Sequence, residues 1–394
     1  MTKWQKVKLS EIADISSGLW KAKGLDTSSV SIIRNANFTK GCGFDATDIS
    51  VIEVDNSQLK SRILKYGDII VEKSGGGPGQ PVGRVLFFNI NDTNYTFSNF
   101  TSRLRIIKDK EVNCEYVYRY LQYFYLSGRT EKLQSNSIGI RNLKISAFME
   151  QKIPLPPKEE QERIAKELDA VSDLLAKQKQ LLTEQDTLIK ATFYDMFGKY
   201  FEIGNTYKLL PDICKFIDYR GKTPEKADSG ILLITAKNVR PNLFQSEPQE
   251  YISEDTYDAR MTRGFPQIND VMFTTEAPLG YVCRIPRLNG KFSVGQRIIV
   301  MHPYSEITSE YLEYALSSDS FQSEMYKHSS GSTARGIRSA ELEKLSIPVP
   351  PLPLQQKFAA VVEQIETQKQ KIKSAITETE TLFDALMAKY FDEE

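Results

Sequence analysis

The apolar positions of residues 153–197 repeat at steps of four and three, the spacing typical of an amphipathic helix that buries one face. The segment opens with Ile153-Pro154-Leu155-Pro156-Pro157, and no Pro or Gly follows before Gly198. Proline is tolerated at the start of a helix and glycine is common after its end, so the pattern predicts one long helix. Its seam is formed by Ile164, Leu168, Val171, Leu175, Leu182, Ile189 and Met196, with Gln178, Gln185 and Thr192 in the gaps.

The same pattern returns at the C-terminus. Ile347-Pro348-Val349-Pro350-Pro351 repeats the opening, and Gln355 repeats Gln161 at a shift of 194 positions that holds along the helix without a gap. Two long helices with apolar seams predict an antiparallel coiled coil, although two separate partner-binding helices would show the same pattern. The second seam is formed by Phe358, Val362, Ile365, Ile372, Ile376, Phe383, Leu386 and Tyr390, with Lys369 and Thr379 as polar steps.

The segments before the two helices repeat each other more weakly. Residues 233–238 echo residues 32–37, and Gly336-Ile337-Arg338 repeats Gly139-Ile140-Arg141. Val282 and Arg284 also repeat the spacing of Val82 and Arg84. The predicted organisation is a pseudo-twofold tandem repeat of the α+β class, with two mixed α/β domains and two long helices. The predicted boundaries are 1–152 for the first domain, 153–198 for the central helix, 199–346 for the second domain and 347–394 for the C-terminal helix.

Composition places the chain among globular cytoplasmic proteins. It is 40% hydrophobic and 26% charged, and no apolar run reaches the length of a membrane span. The four cysteines form no Cys-x-x-Cys pair and are expected to be reduced thiols. Because the only histidines are His302 and His328, no zinc site is expected.

The net charge is zero, but its distribution is uneven. Residues 1–155 contain 22 Lys+Arg against 15 Asp+Glu, whereas the two helical segments are acidic. A basic first domain favours binding to nucleic acid, although a mild excess is weak support alone.

The sequence lacks the motifs of several enzyme classes. Gly221-Lys222-Thr223 has the end of a phosphate-binding loop, but Phe216 occupies the position of its leading glycine. There is no Asn/Asp-Pro-Pro-aromatic tetrapeptide of a methyltransferase, and two histidines in one domain support no Ser-His-Asp set. The glycine-rich run 75–79 is either an ordinary surface loop or one that approaches DNA phosphate.

Polar side chains at predicted strand ends and loops are the candidates for contact with DNA. Arg and Lys can bond guanine edges, and Asn can bond adenine edges. The candidates in the first domain are Arg34, Asn35, Asn37, Lys73, Ser74 and Arg141, and those in the second are Arg220, Lys222, Lys237, Asn238, Arg240, Thr274, Thr275, Ser332, Arg335 and Arg338.

These features together resemble the specificity (S) subunits of type I restriction–modification enzymes. The resemblance rests on the two proline–helix units with Gln161 and Gln355, on the two Gly-Ile-Arg segments, and on residues 219–224, Tyr-Arg-Gly-Lys-Thr-Pro. It covers essentially the whole chain, with one departure where Leu354 stands at the position of Glu160.

The resemblance implies a subunit without catalysis of its own. Each globular domain would be a target recognition domain for one half of a split double-stranded DNA site, with an unread spacer between the halves. Two methylation (M) subunits and the motor-nuclease (R) subunits would bind S-adenosylmethionine, ATP and Mg. It transfers no base-contacting residue, because the recognition domains vary most.

Two other classes stay open from the sequence. One is a scaffold protein that does not bind DNA, and the other is a fragment of a fused restriction-methylation enzyme.

Overall fold

The computed structural model describes residues 4–19, 26–77, 79–92, 94–137, 139–202, 206–221, 223–331 and 335–392. These residues form two compact units. The first lies within Met1–Lys179 and Ala375–Glu394, and the second is Gln180–Ser374. Each long helix therefore contributes residues to both units. The boundaries predicted at 152, 198 and 346 mark sequence repeats and stay a prediction.

The first unit is built on a four-stranded antiparallel sheet in the order Ala13–Ser17, Thr101–Ile106, Ile69–Glu72 and Val85–Phe87. A three-stranded sheet has Thr27–Ile33 at its centre, antiparallel to Ser50–Asp55 and parallel to Tyr95–Phe97. The other strands are Lys6–Lys8 paired with Lys152–Pro154, and Gln134–Ser137, Ile140–Leu143 and Ser74–Gly76 in a small sheet; the helices are Leu9–Ile12, Asn56–Leu59, Cys114–Leu126 and Ile145–Met149, with 3-10 turns at Asn35–Asn37 and Arg129–Leu133.

The second unit repeats this plan. Its four-stranded sheet has the order Cys214–Asp218, Ile298–Pro303, Val271–Thr275 and Leu279–Arg284, and Ile231–Ile234 is central to the three-stranded sheet. The other strands are Tyr207–Leu209 with Ser346–Pro348, Val239–Arg240 with Leu243–Phe244, Tyr251–Ile252 and Phe292–Val294; the helices are Leu210–Ile213, Glu254–Arg260, Ser309–Leu316, Asp319–Lys327 and Ser339–Leu342, with a 3-10 turn at Gly198–Phe201.

The two long helices are Lys158–Phe197 and Leu352–Phe391, each of 40 residues. Every predicted seam residue is buried or half-buried. In the first unit Ile164 packs in one core with Phe383 and Phe391. In the second unit Phe193 and Phe197 contact the Phe358 ring at centroid distances of 5.7 and 5.4 Å. The start of each helix thus packs on the end of the other, which confirms the antiparallel coiled coil.

A buried glutamine joins each helix start to its globular part. Gln161 Oε1 accepts from the Asn113 amide at 2.9 Å, and its Nε2 donates to the carbonyl of Pro156 at 2.7 Å. Gln355 repeats this with the Thr308 amide at 2.9 Å and the Pro350 carbonyl at 2.7 Å. Both side chains are fully buried. The repeated glutamine therefore links the start of its long helix to the proline segment before it and to the N-cap residue of an earlier helix, Cys114–Leu126 or Ser309–Leu316.

The structure corrects two of the short sequence matches. The Leu143 amide donates to the Lys73 carbonyl at 2.8 Å, and the Ile337 amide donates to the Thr275 carbonyl at 3.0 Å. Strand register makes Lys73 and Thr275 equivalent. Ile337 therefore corresponds to Leu143, and the match of Gly336-Ile337-Arg338 with Gly139-Ile140-Arg141 is wrong by three residues. The two units align at this point through a buried apolar residue, Leu143 or Ile337, that lies the same number of residues before its long helix.

The match of Val282 with Val82 is wrong for the same reason. Val282 pairs with Phe273, whereas the equivalent Val71 pairs with Val85. Arg284 and Arg84 are thus not equivalent, and their ion pairs differ: Arg84 pairs with Glu72, whereas Arg284 pairs with Glu310, Glu313 and Glu366.

Candidate nucleic-acid interface

In the first unit, three candidate residues meet where neighbouring strands end. Asn35 Nδ2 donates to the Ser74 carbonyl at 2.6 Å, and Ser74 Oγ donates to Asn142 Oδ1 at 2.6 Å. Lys73 Nζ lies 3.2 Å from Ser17 Oγ, and burial lowers the pKa of this ammonium group. Hydrogen bonds thus link Asn35, Ser74 and Asn142, and Lys73 precedes Ser74 in the chain. We call Asn35, Lys73, Ser74 and Asn142 the first-unit polar cluster.

Arg34 and Asn37 have other partners. Arg34 Nη2 pairs with Asp48 Oδ2 at 3.2 Å at the surface. Asn37 is buried, and its Oδ1 accepts from the Arg34 amide at 2.9 Å while its Nδ2 donates to the Asp45 and Asp48 carbonyls. Because these bonds hold the loop together and the side chain is buried inside it, Asn37 is not positioned to contact DNA.

The segment around Arg141, a candidate residue for contact with DNA, forms a two-stranded ribbon. Gln134–Ser137 pairs with Ile140–Leu143 in antiparallel register, with Arg141 opposite Asn136, and the second strand continues onto Ser74–Gly76. The ribbon contains no Asp or Glu. A two-stranded ribbon of this kind has the width that the DNA major groove admits.

In the second unit, Lys237 and Arg240 line a cleft of about 370 Å³. Lys226 and Arg297 also line it, together with the carboxylate of Glu250. Lys226 Nζ and Lys237 Nζ lie 2.9 and 3.0 Å from the two oxygens of Glu250. Four basic side chains thus share one cleft, which gives this surface a positive character.

The Glu250 carboxylate is stabilised in its ionised form. Its burial would raise its pKa, but the hydrogen bonds and charges of Lys226 and Lys237 outweigh that effect and lower the pKa below its usual range. The carboxylate thus remains a hydrogen-bond acceptor, which is the group that binds the amino group of cytosine.

Arg220 lies at a second cavity, of about 680 Å³. Its guanidinium binds both oxygens of Asp218, with Nε 2.9 Å from Oδ2, and also donates to the Ile337 carbonyl. Arg260 and Arg263 line the same cavity, and Arg263 Nη1 donates to the Asp218 carbonyl at 2.9 Å. Arg220, Arg260 and Arg263 therefore line this opening together with Glu225, and Asp218 holds Arg220 and Arg263 from beside it.

Other predicted residues of the second unit are buried or lie elsewhere. Asn238 repeats the role of Asn37: its Oδ1 accepts from the Thr235 amide, and its Nδ2 donates to the carbonyls of Gln245 and Pro248. Thr274 and Thr275 are buried in the central sheet. Like Asn37, these three residues are buried and are therefore not positioned to contact DNA.

Arg335 and Arg338 are exposed. The Arg335 guanidinium carbon lies 5.9 Å from the Tyr326 ring centroid, and Arg338 precedes the short helix Ser339–Leu342. Lys222 and Ser332 lie outside the described residues.

The sequence pattern does not distinguish four residues of these surfaces, which are Lys226, Glu250, Arg297 and Asn142. None of them lies in a motif, and Glu250 meets its lysines from 13 and 24 positions away. Only their position beside predicted strand ends distinguishes them, and many surface residues share that position.

Comparison with known proteins identifies the class. Residues 1–184 and 204–379 match the type I restriction modification DNA specificity domain. The S subunit of a type I restriction–modification system from M. genitalium aligns over 100% of this chain and 97% of its own, with a TM-score of 0.57 and 16% identity. A chain from a structural study of complex assembly and conformational transition in the type I system aligns over 98% and 97%, with a TM-score of 0.56 and 18% identity.

The fold and the paired domains define a DNA sequence-specificity protein. The chain belongs to the type I restriction modification DNA specificity domain family, and it carries two copies of that domain.

Within the described ranges, no three or more His, Cys, Asp and Glu side chains are arranged to hold a metal ion. No helix in the described part of the chain is long and apolar enough to cross a membrane.

Proposed function

We propose that this chain reads a split double-stranded DNA site, with one half recognised by each unit. The observation that carries the proposal is the internal comparison of the two units. Buried joints such as Gln161/Gln355 and Asn37/Asn238 recur with the same hydrogen bonds. The polar side chains at the strand ends differ. A common frame with different exposed groups is what two readers of different sequences require.

The chain acts in this proposal as the recognition part of a larger complex in the cytoplasm. Two methylation subunits and motor-nuclease subunits would join it and would bind S-adenosylmethionine, ATP and Mg. The similarity to a chain from a study of type I complex assembly supports such partners. The purified chain should then have no methyltransferase, ATPase or nuclease activity. Methyl transfer in a preparation free of other subunits would instead favour the fused enzyme.

An exchange experiment tests the division of labour. Residues 1–152 are replaced by the corresponding part of a relative with a different target, and the bound sequence is determined by selection from random duplexes with the partner subunits present. We expect one half of the target to change and the other to persist. A change in both halves would contradict independent reading, and a wild-type complex that enriches no sequence would favour the scaffold alternative.

Lys237→Ala tests the second-unit cleft. Its ammonium group is largely exposed beside Glu250, which is typical of a residue that reaches a phosphate. We expect weaker binding to all duplexes and a smaller salt dependence, by about one unit of slope. Lys357→Ala, on an exposed position of the second long helix, is the control and should leave both unchanged. An effect confined to one base position would assign base readout to Lys237 instead.

A further inference from the structure

The hydrogen bonds of the two units align one surface position closely. The Lys73 amide donates to the Phe100 carbonyl at 3.0 Å, and the Thr275 amide donates to the Arg297 carbonyl at 2.9 Å. The Ser98 amide donates to the Ile33 carbonyl, and the Gly295 amide donates to the Ile234 carbonyl, each at the end of the central strand of a three-stranded sheet. Phe100 and Arg297 each lie two residues after that donor. Phe100 and Arg297 are therefore equivalent in the two units, although no sequence match relates them.

Phe100 is an apolar side chain at the edge of the first-unit polar cluster. It is 48% exposed. Gly75 lies beside it in a left-handed conformation (φ 99°), and a Cβ there would be 3.7 Å from the Phe100 ring and 2.9 Å from Asn35 Nδ2. The ring therefore stands next to the amides of the cluster. Single exposed apolar residues are common on protein surfaces, so exposure alone assigns no role.

Arg297 occupies the same position in the second unit with opposite chemistry. Its side chain is 49% exposed, and its Nε lies 3.2 Å from Glu276 Oε1. Glu276 is the equivalent of Ser74, because each directly follows the residue that bonds the Phe100 or Arg297 carbonyl. The contact through Nε orients the guanidinium, and the two terminal nitrogens are the ones that bind a guanine edge.

We propose that Phe100 and Arg297 are specificity-determining residues at equivalent positions of the two half-sites. The proposal rests on the proposed function, in which each unit reads one half. Phe100 contacts the methyl group of thymine in one half, and Arg297 bonds O6 and N7 of guanine in the other. Side chains of the equivalent position thus read a T·A pair in the first half and a G·C pair in the second.

Reciprocal substitutions test this assignment. The full chain, assembled with its methylation subunits, selects duplexes from a random library, and the enriched sequences of each variant are compared. Phe100→Arg should replace a T·A preference by G·C at one position of one half only. Arg297→Phe should make the reverse change in the other half. The preference lost in each variant should be on the order of tenfold.

The controls separate recognition from folding. Leu126→Arg also replaces an exposed apolar residue by arginine, at a position that is 47% exposed at the end of the helix Cys114–Leu126. It should leave the selected DNA sequence unchanged. Phe100→Leu keeps an apolar contact and should keep thymine. In every variant the half read by the other unit serves as an internal measure of correct folding.

The outcomes are distinct for the two levels of the proposal. A wild-type target in two halves that Phe100→Arg leaves unchanged would overturn the assignment of Phe100 and leave the proposed function intact. Equal loss of affinity for all duplexes in Phe100→Arg and Phe100→Leu would also overturn it, since the ring would then be a structural or stacking contact. A wild-type complex that selects no bipartite sequence would overturn both proposals.

Discussion

At the residue scale, the same residue type does two different jobs at strand ends. Asn37 and Asn238 have the side chains that bond adenine, but their amide groups are already used by loop backbone and are buried. Asn35 lies two residues before Asn37 and donates to a neighbouring strand at a half-buried position. Whether an asparagine can contact DNA thus depends on which backbone groups surround it.

The buried glutamine of the second helix predicts a large effect from a small change. In Gln355→Ala the Thr308 amide and the carbonyls of Glu306 and Pro350 lose their partner. Leaving buried backbone groups unsatisfied costs about 1–3 kcal/mol, so we expect a loss of that size in the free energy of unfolding, measured with urea. Gln356→Ala, at the exposed neighbouring position, is the control. Equal effects of the two substitutions would contradict the role of Gln355.

The Asp218–Arg220 contact predicts a pH dependence. Burial would raise the pKa of Asp218, but the bonds and charge of Arg220, with the charge of Arg263, hold the pKa below its ordinary value of 3.8. A lowered pKa means that the contact adds stability above the unfolded-state pKa and loses it as the pH falls through the folded-state pKa.

Arg220→Ala should therefore raise the pKa of Asp218, because it removes the main stabilising partner. A carboxyl carbon NMR titration measures this directly. Arg335→Ala, which changes an exposed arginine that pairs with a tyrosine ring, should leave that titration unchanged. An unchanged pKa in Arg220→Ala would show that the ion pair does not persist in solution.

At the element scale, the long helices are held by their seam and by aromatic contacts at their ends. Phe358 lies in the second-unit core with Phe193, Phe197 and Tyr314, and ring centroids are 5.4 to 5.7 Å apart. In the first unit Phe391 contacts Tyr116 at 5.5 Å and Tyr120 at 5.6 Å. The end of the first long helix thus packs in the second unit, and the end of the second long helix packs in the first unit.

Phe358→Ala should strongly destabilise the second unit. Truncation of a buried phenylalanine leaves a cavity and costs about 3–5 kcal/mol. Leu382→Ala, which changes a side chain that is 49% exposed on the same helix, should change the unfolding free energy by less than about 0.5 kcal/mol. Chemical unfolding followed by tyrosine fluorescence compares them. A cost below about 1 kcal/mol for Phe358→Ala would mean that the ring cluster does not form.

At the scale of the whole molecule, the helices are proposed to set the spacer between the half-sites. Forty residues at about 1.5 Å each give a rod of roughly 60 Å. Inserting seven residues after both Lys179 and Ser374, where each helix passes from one unit to the other, keeps the seam in phase and adds roughly 10 Å.

The double insertion should shift preference to a longer spacer while both half-site sequences persist, as measured by selection from random duplexes. Insertions of two residues at the same points are the control and should disrupt the seam, because two residues do not match the four-three repeat. If the seven-residue variant still preferred the original spacer length between the half-sites, the helices would stabilise the fold without determining the spacer.

The sequence alone determined the tandem repeat, the two long helices and the apolar face that each helix buries. A helix codes its buried face locally, since residues three and four apart lie on one side, and the unbroken shift of 194 positions made the second copy readable. The predicted seam from Ile164 to Tyr390, whose residues are buried or half-buried in the structure, follows from that rule.

Only the tertiary structure decided which polar residues share a surface. Lys226, Lys237 and Glu250 meet because strand pairing brings distant segments together, and Phe100 corresponds to Arg297 because backbone hydrogen bonds place them equivalently. The match of the two Gly-Ile-Arg segments failed because three shared letters carry less information than the burial of Leu143 and Ile337. In the two recognition domains, equivalent positions are identified by buried residues and backbone hydrogen bonds, because the surface residues differ too much to align.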